Sequence, residues 1–138
     1  PGLTCVAELG KWVAKEVCAY LGDPGPNPDF NPIRKGIPRV HDLSEEERDC
    51  LIKTDAEFGK VVCHCRDVTQ GEVLEAIRRG ASTLDGVKHR TGAGMGRCQG
   101  GRCLLPMLEA LAAEKGLRPT QVTKSGGESY VVTNDEKS

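Results

Sequence analysis

Four of the seven cysteines in this chain of 138 residues fall in two close pairs. Cys63-His64-Cys65 is followed, after 32 residues, by Cys98-Gln99-Gly100-Gly101-Arg102-Cys103. Thiolates are soft donors that select zinc, copper(I) or iron–sulfur iron over magnesium or calcium. The spacings narrow that choice. A four-iron cluster of the bacterial ferredoxin kind wants a C-x2-C-x2-C run and the plant-type cluster a C-x4-C-x2-C run, and neither is present. One C-x-C pair and one C-x4-C pair suit a [2Fe-2S] rhomb, in which each of two irons takes two thiolates. The first reading is therefore a [2Fe-2S] cluster on Cys63, Cys65, Cys98 and Cys103, with the sharing of pairs between irons left open. The alternative is zinc on the same four residues, although paired zinc ligands usually stand two to four residues apart. Redox-active or incidental thiols are a third reading.

The surroundings favour an anionic group. Cys63 to Cys103 holds seven Lys or Arg against four Asp or Glu, whereas the whole chain has 19 basic and 20 acidic residues and a net charge of −1. Arg66, Arg97 and Arg102 each adjoin a cysteine of the set. Eight glycines in the same stretch let backbone N–H groups approach sulfur, and such bonds tune a cluster's potential. A Rieske centre would need two histidine ligands. His64, between two cysteines, should point away from the cluster; His89, between Lys88 and Arg90, reads as a surface residue, and His41 stands alone. No G-x-G-x-x-G, P-loop or nucleophile–base pair appears, so the chain itself carries electrons or metal and transforms no substrate.

Composition excludes several classes. The near-neutral charge does not suggest a nucleic-acid or lipid-surface binder. No apolar run approaches the ~20 residues that span a bilayer, so the chain is expected not to be membrane-spanning. Clustered cysteines without a secretory signal point to a reducing, cytoplasmic setting rather than a disulfide framework, with at most a peripheral membrane association through a partner. Aromatics are five in all, and a small aliphatic core gains much from a metal staple. The start at Pro1 reads as a piece of a longer protein.

The elements that position the cysteines follow from periodicity. Val6, Leu9, Val13, Val17 and Tyr20 predict an amphipathic helix over 5–21 that ends at Gly22. Cys5 and Cys18 on it read as structural thiols. Four prolines between Asp23 and Pro32 make an extended linker. Ser44-Glu45-Glu46-Glu47 is a capping box opening a short helix over 45–53, which carries Cys50. Thr69-Gln70-Gly71-Glu72 is a second, opening a helix over 70–79 with Val73, Leu74 and Ile77 inward and Gly80 as cap. Ser82 or Thr83 caps a shorter helix with Leu84 and Val87, and 91–96 is a flexible loop into Cys98. Leu104, Leu105, Leu108, Leu111 and Ala112 stripe a helix over 103–115 closed by Gly116. One helical turn after Pro119, an extended 129–132 and a frayed 134–138 complete the chain.

Val62-Cys63-His64-Cys65, the capped helix from Thr69, Thr83-Leu84-Asp85-Gly86-Val87-Lys88 and Gly94-Met95-Gly96-Arg97-Cys98-Gln99-Gly100-Gly101-Arg102-Cys103 together resemble the bacterioferritin-associated-ferredoxin-like [2Fe-2S] domain over roughly 61–123. That family implies small helix-turn-helix units around a near-surface cluster, with all four ligand positions filled here. Pro1-Gly2-Leu3-Thr4 with its helix, Asn27-Pro28-Asp29-Phe30-Asn31-Pro32-Ile33-Arg34 and the Ser44 helix resemble the C-terminal region of FAD-dependent glycerol-3-phosphate dehydrogenase-like oxidoreductases. The resemblance implies a mostly α chain in three parts: 1–22 as the terminal helix of an upstream FAD domain, 23–60 as an extended Pro-rich linker with a short helix, and 61–138 as the ferredoxin-like domain. It implies an electron relay between the parent's flavin and an external acceptor protein or subunit, with FAD bound by the parent rather than by this segment. A copper or zinc delivery module is the alternative function, although the chain lacks a Cys-x-x-Cys transfer site. An interaction domain stapled by a cluster or zinc is a further one.

Overall fold

The second of the two capping boxes is the pivot of the fold. Thr69 Oγ1 accepts the N–H of Glu72 at 3.4 Å, and Glu72 Oε2 accepts both the N–H and the hydroxyl of Thr69 at 2.8 Å. Both side chains are buried. In this computed structural model, which describes residues 2–133, the box starts helix α3, Gln70–Arg78. The frayed end expected over 134–138 lies outside the described residues.

The chain divides into two units, Pro1–Lys35 and Gly36–Ser138. The first holds α1, Gly2–Tyr20, whose start one turn ahead of the expected position puts Thr4 inside the helix. Helix ends are set by local hydrogen bonds that a periodicity window locates only to within a turn. None of the described residues of α1 is buried, and its stripe of Val6, Leu9, Val13 and Val17 is about half exposed. From Asp23 to Lys35 there is neither helix nor strand, as the prolines require.

The second unit opens with a 3-10 turn, Val40–Asp42, then α2, Glu45–Thr54, which carries the first capping box: Ser44 donates its N–H to Glu47 at 3.0 Å and accepts that of Glu47 at 3.3 Å. A 3-10 turn, Ala56–Gly59, buries Phe58 against the first turn of α3. There Gly71 is needed for its size, because a Cβ would come within 2.6 Å of the Phe58 ring. Residues 40–60 thus pack onto the cysteine-bearing part of the unit.

Two short strands, unforeseen in the sequence, follow. β1, Val61–Cys63, pairs antiparallel with β2, Val68–Thr69, in the register Val61 to Thr69 and Cys63 to Val68. The run Val61-Val62-Cys63 is too brief to show a period of two, so only pairing reveals it. Asp67 adopts φ +50° in the reversal between them.

Helices α3, α4 (Leu84–Thr91) and α5 (Leu104–Lys115) pack mutually. Val73, Ile77, Val87, Leu108 and Leu111 are fully buried between them, each contributing about 1.5–3 kcal/mol. Thr83, not Ser82, caps α4 by accepting the Gly86 N–H at 3.0 Å. The last residue of the α3 cap is Arg79, and Gly80 stands one place beyond it at φ +95°, its N–H bonded to Ile77 O at 3.0 Å. Leu105, expected on the buried stripe of α5, is 57% exposed, and Met107 and Ala110 are buried instead. The helix meets α3 and α4 on a face turned away from Leu105. The expected extended stretch 129–132 reduces to one bridge between Tyr130 and Thr123, while Thr123 and Lys124 accept the first N–H groups of α4 at 3.1 and 2.8 Å. The unit is mostly α, with a two-stranded ribbon that carries Cys63.

Candidate metal centre

Each cysteine of the set is placed by a different local device. Cys63 ends β1 and is buried. Cys65 follows in the turn between the strands and is half-buried. Cys98 is reached through a tight chain of turns after α4, which Gly92 closes in the left-handed conformation at φ +81°. The segment 92–96, expected to be a flexible loop, is ordered by this cap and by burial of Ala93; Met95 N–H bonds Gly92 O at 3.1 Å. Cys103 is the N-cap residue of α5 and is fully buried, its carbonyl accepting the Met107 N–H at 3.0 Å.

The fold brings all four to one hollow of about 270 Å³, lined by Cys63, His64, Cys65, Arg97, Cys98, Arg102 and Cys103. Within it the thiols stand as two pairs. Cys65 Sγ and Cys98 Sγ are 3.4 Å apart toward the surface. Cys63 and Cys103 are in hydrogen-bonding contact on the inner side. Among the described residues no three His, Cys, Asp or Glu side chains converge as the cage of a single ion. Paired thiols match the ligand demand of two linked irons better than that of one tetrahedral zinc.

The electrostatics differ between pairs. The Cys98 thiol is held below its ordinary range by its hydrogen bond with Cys65 and then by the backbone N–H groups of Gly100 and Arg102. Burial, with the contact to Cys63 second, pushes Cys103 up to about 11. In the absence of metal the Cys103 thiol therefore holds its proton, while Cys98 gives its proton up more readily. Arg97 and Arg102 line the hollow from its exposed side, as does exposed His64, a residue expected to point away from it. Cys5, Cys18 and Cys50 are exposed on α1 and α2, so a structural, buried role for the thiols of α1 is not what the helix provides.

Cys65 also borders a larger open cleft of about 410 Å³, walled by Arg39, His41, Arg66, Lys88 and Arg90. His41, read as solitary, lies 3.6 Å from Asp67 across this cleft. Its partner comes from the strand reversal, which the sequence did not reveal.

A small helical unit thus presents four cysteines from a strand end, turns and a helix start in one near-surface hollow. Residues 61–114 match the family described as BFD-like [2Fe-2S] binding domain, and the chain carries such a domain. It is 47% identical over 112 residues to the glycerol 3-phosphate dehydrogenase of Caloramator mitchellensis, which covers 80% of this chain and 23% of that protein. It is 46% identical over 49 residues to the hydrogen cyanide synthase subunit HcnB of Pseudomonas aeruginosa, across 36% of this chain and 11% of the relative. With the anaerobic glycerol-3-phosphate dehydrogenase subunit A1 of Haloferax volcanii it shares 41% identity over 54 residues, 39% of this chain and 9% of the relative. The chain thus spans about a quarter or less of the length of these relatives. No solved structure matches it. No helix among the described residues is long and apolar enough to cross a membrane.

Proposed function

We propose that Cys63, Cys65, Cys98 and Cys103 ligate a [2Fe-2S] cluster through which this segment relays single electrons between the flavin of an upstream domain and an external acceptor. The observation that carries the reading is the meeting of both cysteine motifs in one hollow with two thiols inside and two near the surface. When bound, the cluster supplies reversible one-electron storage, and the chain need move no proton. Its residues keep the site rigid, through the Thr69–Glu72 box and the buried faces of α3 and α5, so little reorganises when charge changes. Arg97 and Arg102 favour the added negative charge, and the half-buried outer pair keeps one side of the site within reach of a partner.

The parent is proposed to be an FAD-dependent oxidoreductase of the glycerol-3-phosphate dehydrogenase type, a reading supported by the two relatives so described. Residues 1–22 then complete the flavin domain. The half-exposed apolar stripe of α1 supports this, since such a face finds its stability against a partner surface. Residues 23–60 join that helix to the cluster domain, and the setting proposed is cytoplasmic.

The test is anaerobic purification with iron, sulfide and zinc analysis, followed by a redox titration. Two irons and two sulfides per chain with a reversible one-electron step are expected. A colourless protein that holds stoichiometric zinc after reconstitution with iron and sulfide would sink the assignment. A cluster that never changes oxidation state within the flavin's range would leave only a staple.

A further inference from the structure

We propose that the open cleft beside the four-cysteine hollow, framed by Arg39, Arg66, Lys88 and Arg90, docks an acidic segment of a protein partner. The cleft measures about 410 Å³ and is built from three stretches distant in sequence: residues 39–42, the strand reversal and the end of α4. It shares Cys65 with the hollow, but the proposed relay makes no use of its cations. The docking depends on those cations and not on what fills the hollow, so it goes beyond the function proposed above.

The charges in the cleft are unbalanced. Among the described residues Arg39, Arg66 and Lys88 have no ion-pair partner, and Arg90 donates to a backbone carbonyl, Gly86 O at 3.1 Å. Of the three carboxylates in the wall, Asp67 faces His41 at 3.6 Å and Glu72 is engaged in the Thr69 box. That leaves Asp42 against four cations. Basic residues in a last turn ordinarily offset the helix dipole, and Lys88, His89 and Arg90 stand there in α4. The dipole end amounts to only about half an elementary charge, so it accounts for one cation and not for four. Arg39 belongs to another segment, and Arg66 reaches across to the cap, its Nε 3.6 Å from where a Gly92 Cβ would stand.

The same geometry selects the occupant. Compact phosphate groups are held where a helix begins, whereas the cleft receives the negative end of α4. Among the described residues no aromatic side chain lines it to stack a nucleobase. Its volume falls in the range that takes a drug-sized ligand or several side chains, more than one inorganic anion fills. Carboxylates set apart along a polypeptide can meet the separate cations one by one and stay clear of the carbonyl end of the helix. Complementary charge of this kind steers encounter and fixes register more than it adds affinity.

The experiment is fluorescence anisotropy of a fluorescein-labelled hexaglutamate peptide titrated with the full chain, reconstituted anaerobically. Saturable binding is expected at low salt and its loss at about 0.3 M, since exposed charges are screened within a Debye length. Arg39→Gln combined with Lys88→Gln should weaken binding about tenfold, the size expected for two exposed ion pairs. Lys115→Gln, the same charge change on α5 outside the cleft, should weaken it by less than about twofold. Circular dichroism and iron content check that each variant folds; if the double variant does not, Arg39→Gln alone, on an exposed side chain, should give about threefold. Absence of saturable binding, or an equal loss with Lys115→Gln, overturns the docking site. Inorganic pyrophosphate or an oligothymidylate held in the cleft more tightly than the peptide overturns the choice of an acidic polypeptide. A chain that binds the peptide without retaining iron and sulfide sustains the docking site and counts only against the cluster.

Discussion

Gly96 lies so close to Cys65 that a Cβ on Gly96 would overlap the Cβ of Cys65. The obstruction is a side chain rooted in the strand reversal, not the loose end of a flexible group, so it cannot simply swing aside. Gly96→Ala is expected to displace Cys65 at a cost of about 1–3 kcal/mol, the usual range for overpacking. Helical content by circular dichroism should be kept while the iron-to-protein ratio falls and bleaching in air quickens. Unchanged iron retention would mean that the 92–98 turns shift freely.

Metal-free protein should display the thiol asymmetry directly. Cys98, lowered by Cys65 and backbone donors, presents thiolate at lower pH, while Cys103 remains a buried thiol up to about 11. Iodoacetamide at pH 8 should therefore modify Cys98 before Cys103, as peptide mapping by mass spectrometry will read. The sign for stability follows from the raised group. Cys103 prefers its neutral form when folded, so its contribution is complete below the ordinary value of 9.0 and is lost as pH rises through about 11. The urea midpoint of the metal-free chain should fall across that window.

Glu72 is a buried carboxylate that accepts both the N–H and the hydroxyl of Thr69. Glu72→Ala leaves a buried N–H and hydroxyl without their acceptor and should cost about 1–3 kcal/mol. For a unit of this size each kcal/mol corresponds to roughly 4–8 °C in Tm. Calorimetry should show a smaller loss for Glu72→Gln, which keeps an acceptor oxygen. Equal losses for both would point to the charge rather than the hydrogen bonds.

Arg97 and Arg102 on the rim of the hollow should raise the midpoint potential of the proposed cluster. Arg97→Gln or Arg102→Gln removes a cation that favours the reduced state, so the potential should fall by on the order of 30 mV at low ionic strength. The difference should shrink in salt, because exposed charges are screened over about 10 Å at 0.1 M. An upward shift in an anaerobic titration would contradict this electrostatic role.

The sequence by itself determined the chemistry and most of the helices. Thiolate softness and the C-x-C and C-x4-C spacings depend only on residue type and order, and both capping boxes are local patterns, so Ser44, Thr69 and the αL glycine Gly116 were legible without a fold. What depends on partners far along the chain was not. The two-stranded ribbon exists only through pairing of Val61 with Thr69 and of Cys63 with Val68. Leu105 faces outward because α5 is turned by its contacts with α3 and α4. Gly71, legible only as part of a capping box, and Gly96, legible only as part of a loop, are held to glycine's size by Phe58 and Cys65. The pairing of Cys65 with Cys98 and of Cys63 with Cys103 was likewise decided only by the tertiary structure, because side chains 33 and 40 residues apart meet through packing that no spacing rule encodes.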